Sequence, residues 1–198
     1  MELNFDYIYG QTPVSEEEKE GLLIQTISFR QELDEFEQEN IEFAIEWTIK
    51  HRFTSKKILT IEFIKEVHRQ MFNKVWKWAG TFRKTNKNIG VDKFEINQEL
   101  KVLLDDCKYW IDHDSYSGDE IAIRFKHRLV SIHPFSNGNG RHSRLCADIL
   151  ISHVFNEKMF SWGGFYLIAP GVSRNKYLDA IHIADAGDIK PLLRFARS

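Results

Sequence analysis

The sequence predicts an all-α protein folded as a single domain over residues 1–198. Apolar residues recur at three- and four-residue spacing along most of the chain, as in helices that bury one face. One stretch, residues 80–97, has the scattered Thr, Phe, Ile and Val that are typical of strands. No repeat, low-complexity segment or linker interrupts the 198 residues, and a hydrophobic content of 42% suffices for one sizeable core.

Two helices are predicted in the first third of the chain. The first is expected to be buried on two sides, because one face carries Leu33, Phe36, Asn40, Phe43 and Trp47 and the adjacent face carries Ile41, Ala44, Ile45 and Thr48. The second is expected to begin after Thr60, whose hydroxyl can cap it. Its apolar face consists of Ile61, Ile64, Val67, His68 and Met71.

The remaining helices follow the same rule. The most regular pattern consists of Leu100, Leu103, Leu104, Cys107 and Ile111. Asp119 is expected to start the next helix, which leads directly to His133 and whose core face is Ile121, Phe125, Leu129 and Ile132. Two last helices are predicted from about Ser173 to Ala186 and from Lys190 onward, separated by Gly187.

Residues 80–97 break the helical pattern. Their Thr, Phe, Ile and Val residues surround Asn88 and Gly90, which favours a short, irregular β-hairpin. From the pattern alone, an ordinary surface loop is the alternative.

A glycine-rich segment, His-Pro-Phe-Ser-Asn-Gly-Asn-Gly-Arg-His-Ser-Arg, occupies residues 133–144. Gly138 and Gly140 can adopt positive φ, so that successive backbone N–H groups enclose an anion. Asn139 tolerates the same left-handed geometry. The segment therefore predicts a phosphate-binding loop.

Charged and titratable side chains flank this loop. Arg141 is expected to open a helix whose positive end faces the anion, and Arg144 shares its face, so two guanidinium groups can hold phosphates. His133 precedes the loop, where an imidazole can accept a proton from a hydroxyl that attacks the phosphate.

This segment resembles the signature of the Fic/Doc family, which reads His-Pro-Phe, any residue, Asp or Glu, Gly-Asn-Gly-Arg, two residues and Arg. The resemblance implies a single Fic-like helical domain that transfers AMP from ATP to a Ser, Thr or Tyr hydroxyl of a target protein. It implies that His133 is the general base, that Arg141 and Arg144 bind the outer phosphates, and that residues 138–140 form the phosphate nest. It extends over about residues 43–195, and residues 1–30 form an N-terminal segment.

Position 137 departs from the family pattern, because Asn137 stands where a carboxylate usually binds magnesium. Mg²⁺ prefers charged oxygen ligands, and an amide oxygen is neutral. We expect ATP as substrate and Mg²⁺ as a weakly held cofactor at Asn137. Three interpretations stay open: a slow adenylyltransferase, an enzyme that transfers phosphoryl groups or removes AMP at the same site, and a non-catalytic nucleotide- or anion-binding member of a toxin–antitoxin pair.

The resemblance also assigns the predicted hairpin a role as a flap over the active site. There the target protein would add as a strand along Asn88, Ile89, Gly90 and Val91. Basic residues of this region would favour acidic targets, or on a solvated loop would only contribute to solubility; they are Arg83, Lys84, Lys87 and Lys93.

Two further family patterns are matched incompletely. A closing Tyr, Asn, Gly-Asp, Pro and Phe pattern implies that Tyr177 and Asp185 help to hold the adenine, although Asp185 replaces the usual amide and Tyr177 suits a core position equally. An inhibitory pattern of Ser or Thr, three residues, Glu and Gly or Asn has its nearest match at Glu20, with Glu16 in place of the hydroxyl residue. Glu20 would pair with Arg144; an ordinary helix start is the alternative, and it would leave control to a regulatory partner such as an antitoxin.

Composition sets the remaining expectations. A formal net charge of −2 and a pI near 6.5 argue against a nucleic-acid or anionic-membrane surface. Cys107 and Cys146 form no CxxC pattern, which suits reduced thiols in a core. The N-terminus lacks the basic and apolar regions of a signal peptide, and no segment approaches the roughly 20 apolar residues of a membrane span, so we expect a cytoplasmic protein. No GxxxxGK[ST] or HExxH motif offers another mechanism.

Overall fold

Helices make up nearly all the regular structure of residues 16–164 and 172–198, which the computed structural model describes. No strand forms within these residues; they contain two isolated bridges, Leu22 with Trp76 and Phe82 with Phe135. The all-α prediction is confirmed for the described chain. Its helices are α1 (Glu16–Lys19), α2 (Arg30–Lys50), α3 (Ser55–Ile58), α4 (Ile61–Phe72), α5 (Ile96–Asp112), α6 (Gly118–Ile132), α7 (Asn139–His153), α8 (Val172–Asp185) and α9 (Lys190–Ala196).

The helices pack around α6 and α7. α6 lies along α7 and α5, α2 packs on α4, and α9 packs on α8. The largest fully buried side chains include Phe63, Phe72, Trp76, Phe125 and Phe135. Because α6 ends and α7 begins within this packed centre, the loop that joins them is held in place from several sides.

Local chemistry explains where the central helices begin. The Thr60 hydroxyl accepts a hydrogen bond from the Phe63 N–H at 3.2 Å, so α4 starts where its cap was predicted. α6 starts at Gly118, one residue before the predicted Asp119, because the Ser117 hydroxyl accepts from the Glu120 N–H at 3.3 Å.

The predicted orientation of α2 is partly wrong. Phe36 and Phe43, both predicted on a buried face, are exposed by 39% and 45%, whereas Glu37 is buried; Asn40 is buried as predicted. The Asn40 side chain donates to the Gln70 carbonyl at 2.9 Å and accepts from a backbone N–H at 2.8 Å. These polar groups turn inward because each finds hydrogen-bond partners there, which offsets the cost of burying them.

The β-hairpin predicted for residues 80–97 is not formed. Residues 80–95 form bends, turns and irregular backbone apart from the single bridge at Phe82, and residues 96 and 97 already belong to α5. The Arg83 guanidinium lies inside the loop and donates to the carbonyls of Thr85, at 2.9 Å, and Val91. Carbonyls that would have paired two strands bind one side chain instead.

The two cysteines, Cys107 and Cys146, are both buried and free, as expected of reduced core thiols. No helix within the described ranges combines the length and apolarity required to cross a membrane.

Candidate active site

A cavity of about 610 Å³ opens where α6 passes into α7. This volume lies in the range of about 300–1,000 Å³ typical of small-molecule sites. The cavity brings together most of the predicted site residues: Asn88, Ile89, Gly90, His133, Asn137, Gly138, Asn139, Gly140, Arg141, Arg144, Tyr177 and Asp185. Val91 and Glu20 do not line it, and Arg30, Asp34 and Arg174 complete its charged surface.

His133 caps the C-terminal end of α6 in the left-handed conformation, with φ 55° and ψ 59°. Its Nδ1 lies 3.3 Å from the Val130 carbonyl. Because a carbonyl oxygen only accepts, Nδ1 carries the proton and Nε2 is the basic nitrogen. Burial, together with the nearby charges of Arg83 and Lys87, lowers the pKa of His133 to about 4. The imidazole is therefore neutral at pH 7, as a general base must be.

Gly138 shapes the loop at the start of α7. It adopts φ 77° and ψ 0° as the N-cap residue. A Cβ at this position would lie 2.5 Å from the Phe72 ring. Glycine is therefore required both by the backbone conformation and by the approach of Phe72.

The other two loop residues differ from the prediction. Asn139 and Gly140 are the first residues of α7, so neither adopts the left-handed geometry, and the helix opens two residues before Arg141. The Asn139 side chain is buried, accepting from the Phe135 N–H at 2.9 Å and donating to the Phe135 carbonyl at 2.8 Å. Asn139 therefore braces the loop, while a Cβ on Gly140 would contact nothing within 4 Å.

A buried histidine beneath the loop was predicted only as a core residue. His68 Nδ1 accepts from the Gly80 N–H at 2.9 Å, so Nε2 carries the proton and donates to the Asn137 carbonyl at 3.1 Å. Its ring stacks on Phe135 with centroids 3.7 Å apart. Burial holds the pKa of His68 well below its ordinary value, which favours this neutral form.

The first motif arginine is paired with a carboxylate that belongs to no motif of the sequence. Arg141 Nη1 lies 2.7 Å from Glu37 Oε2, and the Glu37 side chain is 1% exposed. The two groups meet at ion-pair distance without hydrogen-bond alignment. The Trp76 indole donates to the other oxygen of Glu37 at 2.6 Å. Glu37 thus offsets the charge of Arg141 before any ligand binds.

The second motif arginine faces Tyr177. The Arg144 guanidinium lies 5.5 Å from the Tyr177 ring centroid, and the Lys126 ammonium lies 4.6 Å from it. Burial raises the pKa of the Tyr177 hydroxyl. The neighbouring Lys126 and Arg144 lower it by more, so the pKa lies below its ordinary value. Lys126 is fully buried. Its position on the apolar face of α6 is the sequence signal that could have singled it out, because lysine is rarely buried.

The oxygen ligands around the cavity do not fit a magnesium ion held by the protein. Asn137 Oδ1 accepts from the Gly138 N–H at 2.6 Å. Among the described lining residues, the carboxylates are Asp34, which pairs with an arginine at 2.9 Å, and Asp185, which accepts from a histidine at 2.8 Å. Residues 16–164 and 172–198 contain no group of three or more His, Cys, Asp or Glu side chains arranged to hold a metal.

Glu20, the predicted inhibitory residue, does not line the cavity that contains the motif arginines. Glu20 follows the four-residue helix α1, is exposed, and forms no ion pair with Arg144 or with any other described residue. Among the described carboxylates, the one in contact with a motif arginine is Glu37. Inhibition by Glu20 stays a prediction.

A family model described as the Fic/DOC family matches residues 58–151. Curated proteins named protein adenylyltransferase Fic from Aedes aegypti and Drosophila yakuba are 30% and 31% identical over 141 residues, which cover 69% of this chain. The chain belongs to the Fic/DOC family. This Fic chain spans 27% of the length of those two relatives.

Solved structures establish the Fic fold independently. Fic-1 from C. elegans superposes with a TM-score of 0.67 at 22% identity, covering 90% of this chain and 51% of that chain. BepC from Bartonella tribocorum, solved with bound AMPPNP, gives a TM-score of 0.64 at 19% identity and covers 92% of this chain and 97% of that one.

Proposed function

We propose that this Fic chain is a protein adenylyltransferase that transfers AMP from ATP to a Ser, Thr or Tyr hydroxyl of a target protein. The observation that carries the proposal is the juxtaposition of His133, with its basic Nε2, and the α7 start with Arg144 in one cavity. The name of the insect relatives, protein adenylyltransferase, supports the same reaction.

The proposed reaction is an in-line displacement at the α-phosphorus. The target hydroxyl oxygen attacks this phosphorus while His133 Nε2 takes the hydroxyl proton. A bond forms between the target oxygen and phosphorus, and the bond from phosphorus to the bridging oxygen breaks, so pyrophosphate leaves. Backbone N–H groups at the start of α7 and the Arg144 guanidinium stabilise the charge that develops on the phosphates.

ATP is the proposed AMP donor, supported by the AMPPNP bound to BepC. Because the cavity residues do not fit a magnesium ion held by the protein, we assign Mg²⁺ the role of counter-ion to the nucleotide phosphates. No step proposed for His133 or Arg144 depends on it. Tyr177 and Asp185 are the residues proposed to contact the adenine.

The loop that lines the cavity mouth is the proposed docking site for the target. Asn88, Ile89 and Gly90 are exposed and line the cavity, whereas both backbone polar groups of Val91 are bonded inward, to Ile132 and Arg83. The surrounding surface carries the exposed side chains of Ile89, Phe94 and Lys84. A short acidic segment with an apolar residue beside its hydroxyl fits this surface.

A second candidate function is supported by the Glu37–Arg141 pair. A motif arginine already neutralised by a buried carboxylate, beside a neutral Asn137, would suit a non-catalytic nucleotide-binding protein of a toxin–antitoxin pair. Phosphoryl transfer or removal of AMP at the same site are the enzymatic alternatives. Cytoplasmic location and control by a regulatory partner stay predictions from the sequence.

Transfer of label from ATP tests the proposal. The protein is incubated with an acidic, hydroxyl-containing polypeptide and ATP labelled on either the α- or the γ-phosphate. We expect label from the α-phosphate only, and its loss in His133→Ala with AMPPNP binding retained. Label from the γ-phosphate would redirect the reaction to phosphoryl transfer. Tight AMPPNP binding without transfer would favour the non-catalytic function.

A further inference from the structure

Arg83 was expected to face the target, but it is buried with 3% exposure. Its Nε donates to the His133 carbonyl at 2.7 Å, and its Nη1 donates to the Thr85 carbonyl at 2.9 Å. Its Nη2 donates to the Val91 carbonyl. One guanidinium therefore binds the backbone carbonyl of the candidate base and a carbonyl at each end of the loop over the cavity.

The backbone around His133 depends on this loop for its hydrogen bonds. His133 is a non-glycine residue at φ 55°, a conformation that costs free energy and persists only where the surroundings hold it. Three consecutive carbonyls, on residues 132–134, all accept from the loop: Ile132 from the Val91 N–H at 3.3 Å, His133 from Arg83 Nε, and Pro134 from the Arg83 N–H at 3.0 Å.

Gly90 brings the same loop against the imidazole side of His133. A Cβ on Gly90 would lie 2.7 Å from His133 Cβ and 3.0 Å from Arg83 Nη2, and its φ is +102°. The loop thus approaches as closely as a glycine permits. The positions of the loop and of the base are mechanically linked.

We propose that Arg83 is a positioning residue that connects the target-docking loop to the backbone of His133. The connection keeps the docked hydroxyl at a fixed position relative to the base. This inference rests on the proposed adenylyl transfer. It concerns a side chain that faces away from the target and acts through its neighbours.

Two substitutions of Arg83 separate the effect of its charge from the effect of its hydrogen bonds. Among the described residues, the positive charges of Arg83 and Lys87 both lower the pKa of His133. Arg83→Lys keeps the positive charge but cannot reach three carbonyls at once, whereas Arg83→Gln removes the charge as well. Lys101→Gln is the matched control, because Lys101 is an exposed lysine of α5 that lies outside the docking loop and the cavity lining.

The first experiment measures transfer kinetics and AMPPNP affinity in these variants. For Arg83→Lys and Arg83→Gln we expect kcat to fall by about 10- to 100-fold, as for a displaced reacting group, with AMPPNP affinity unchanged. Lys101→Gln should keep the wild-type kcat. Wild-type kcat in Arg83→Lys, or an equal fall in Lys101→Gln, would overturn the proposal.

A second measurement does not require activity. Histidine NMR, with the His133 signal assigned by comparison with His133→Ala, should show its pKa rising in Arg83→Gln but not in Arg83→Lys. Hydrogen exchange at the Val91 amide should accelerate in both Arg83 variants. Unchanged exchange would refute the positioning role, whereas absent AMP transfer with accelerated exchange would count against the proposed function alone.

Discussion

The ion pair between Glu37 and Arg141 predicts an asymmetric loss of stability. The Glu37 side chain is 1% exposed and the Arg141 side chain 20% exposed. Among the described residues, the Trp76 N–H is the one partner that the buried carboxylate keeps in Arg141→Gln. In Glu37→Gln the amide oxygen still accepts from Trp76, and the Arg141 guanidinium turns toward the water of the cavity.

The magnitudes follow from what each substitution leaves behind. Removing one partner of a buried ion pair lowers the free energy of unfolding by about 3–5 kcal/mol. Because Arg141 is partly exposed to water, we expect the lower end of this range, about 3 kcal/mol, for Arg141→Gln. Glu37→Gln removes the attraction without burying a lone charge, so we expect about 1 kcal/mol.

Urea unfolding of both single variants and the double variant provides the assay. The free energy of unfolding should fall more for Arg141→Gln than for Glu37→Gln, and the double variant should lose less than the sum of the two. A loss for Glu37→Gln equal to or larger than that for Arg141→Gln would refute the reasoning, because the buried carboxylate would then not be the costly partner.

Three further predictions concern the loop and α7. Asn137→Asp restores a charged oxygen, so ATP affinity measured by calorimetry should depend more strongly on Mg²⁺; an unchanged dependence would count against a metal role for this position. Burial raises the pKa of Asp148 from its ordinary value of 3.8 to about 7, despite the hydrogen bonds from the Trp162 indole. The folded protein therefore binds more protons than the unfolded chain between about pH 4 and 7, so the free energy of unfolding should fall as pH rises through this window, and Asp148→Asn should flatten that slope in urea titrations. Gly138→Ala drives a methyl group against Phe72 at positive φ, and should lower the free energy of unfolding by about 1–3 kcal/mol and weaken AMPPNP binding; wild-type values for both would show that the loop tolerates a side chain.

Periodicity and capping were sufficient to predict the central helices. The Thr60 cap is confirmed, and α6 starts one residue from its predicted position at Asp119. α8 begins and ends within one residue of its predicted bounds, and α9 begins at the predicted Lys190, on either side of Gly187. These elements were predictable because their apolar spacing and end residues agree with the packing that the tertiary structure requires.

The contacts that organise the site were not predictable from local pattern. α2 contains many carboxylates, and nothing in their spacing distinguishes Glu37 as the one beneath Arg141. A loop arginine such as Arg83 ordinarily faces solvent, and only the tertiary structure shows that it binds three backbone carbonyls. The same residue explains why the predicted hairpin is not formed, because its guanidinium binds the loop carbonyls that two paired strands would have used.

The residues of the glycine-rich segment lie together as predicted, but the local backbone geometry differs from the prediction. His133, Arg141 and Arg144 line one cavity with the loop, as their spacing indicated. Left-handed geometry falls on His133 and Gly138 rather than on Gly140, because α7 begins earlier than its apolar pattern suggested. Helix boundaries depend on caps and loop contacts that periodicity does not encode.

Adenylyl transfer is tested most directly by intact-mass spectrometry of the purified protein after incubation with ATP and Mg²⁺, with Glu20→Gly and His133→Ala in parallel. We expect an adenylyl-sized adduct on the protein or on an added acidic polypeptide, lost in His133→Ala, and increased in Glu20→Gly if that glutamate inhibits. A phosphate-sized adduct, or an adenylyl adduct that persists in His133→Ala, would contradict the account.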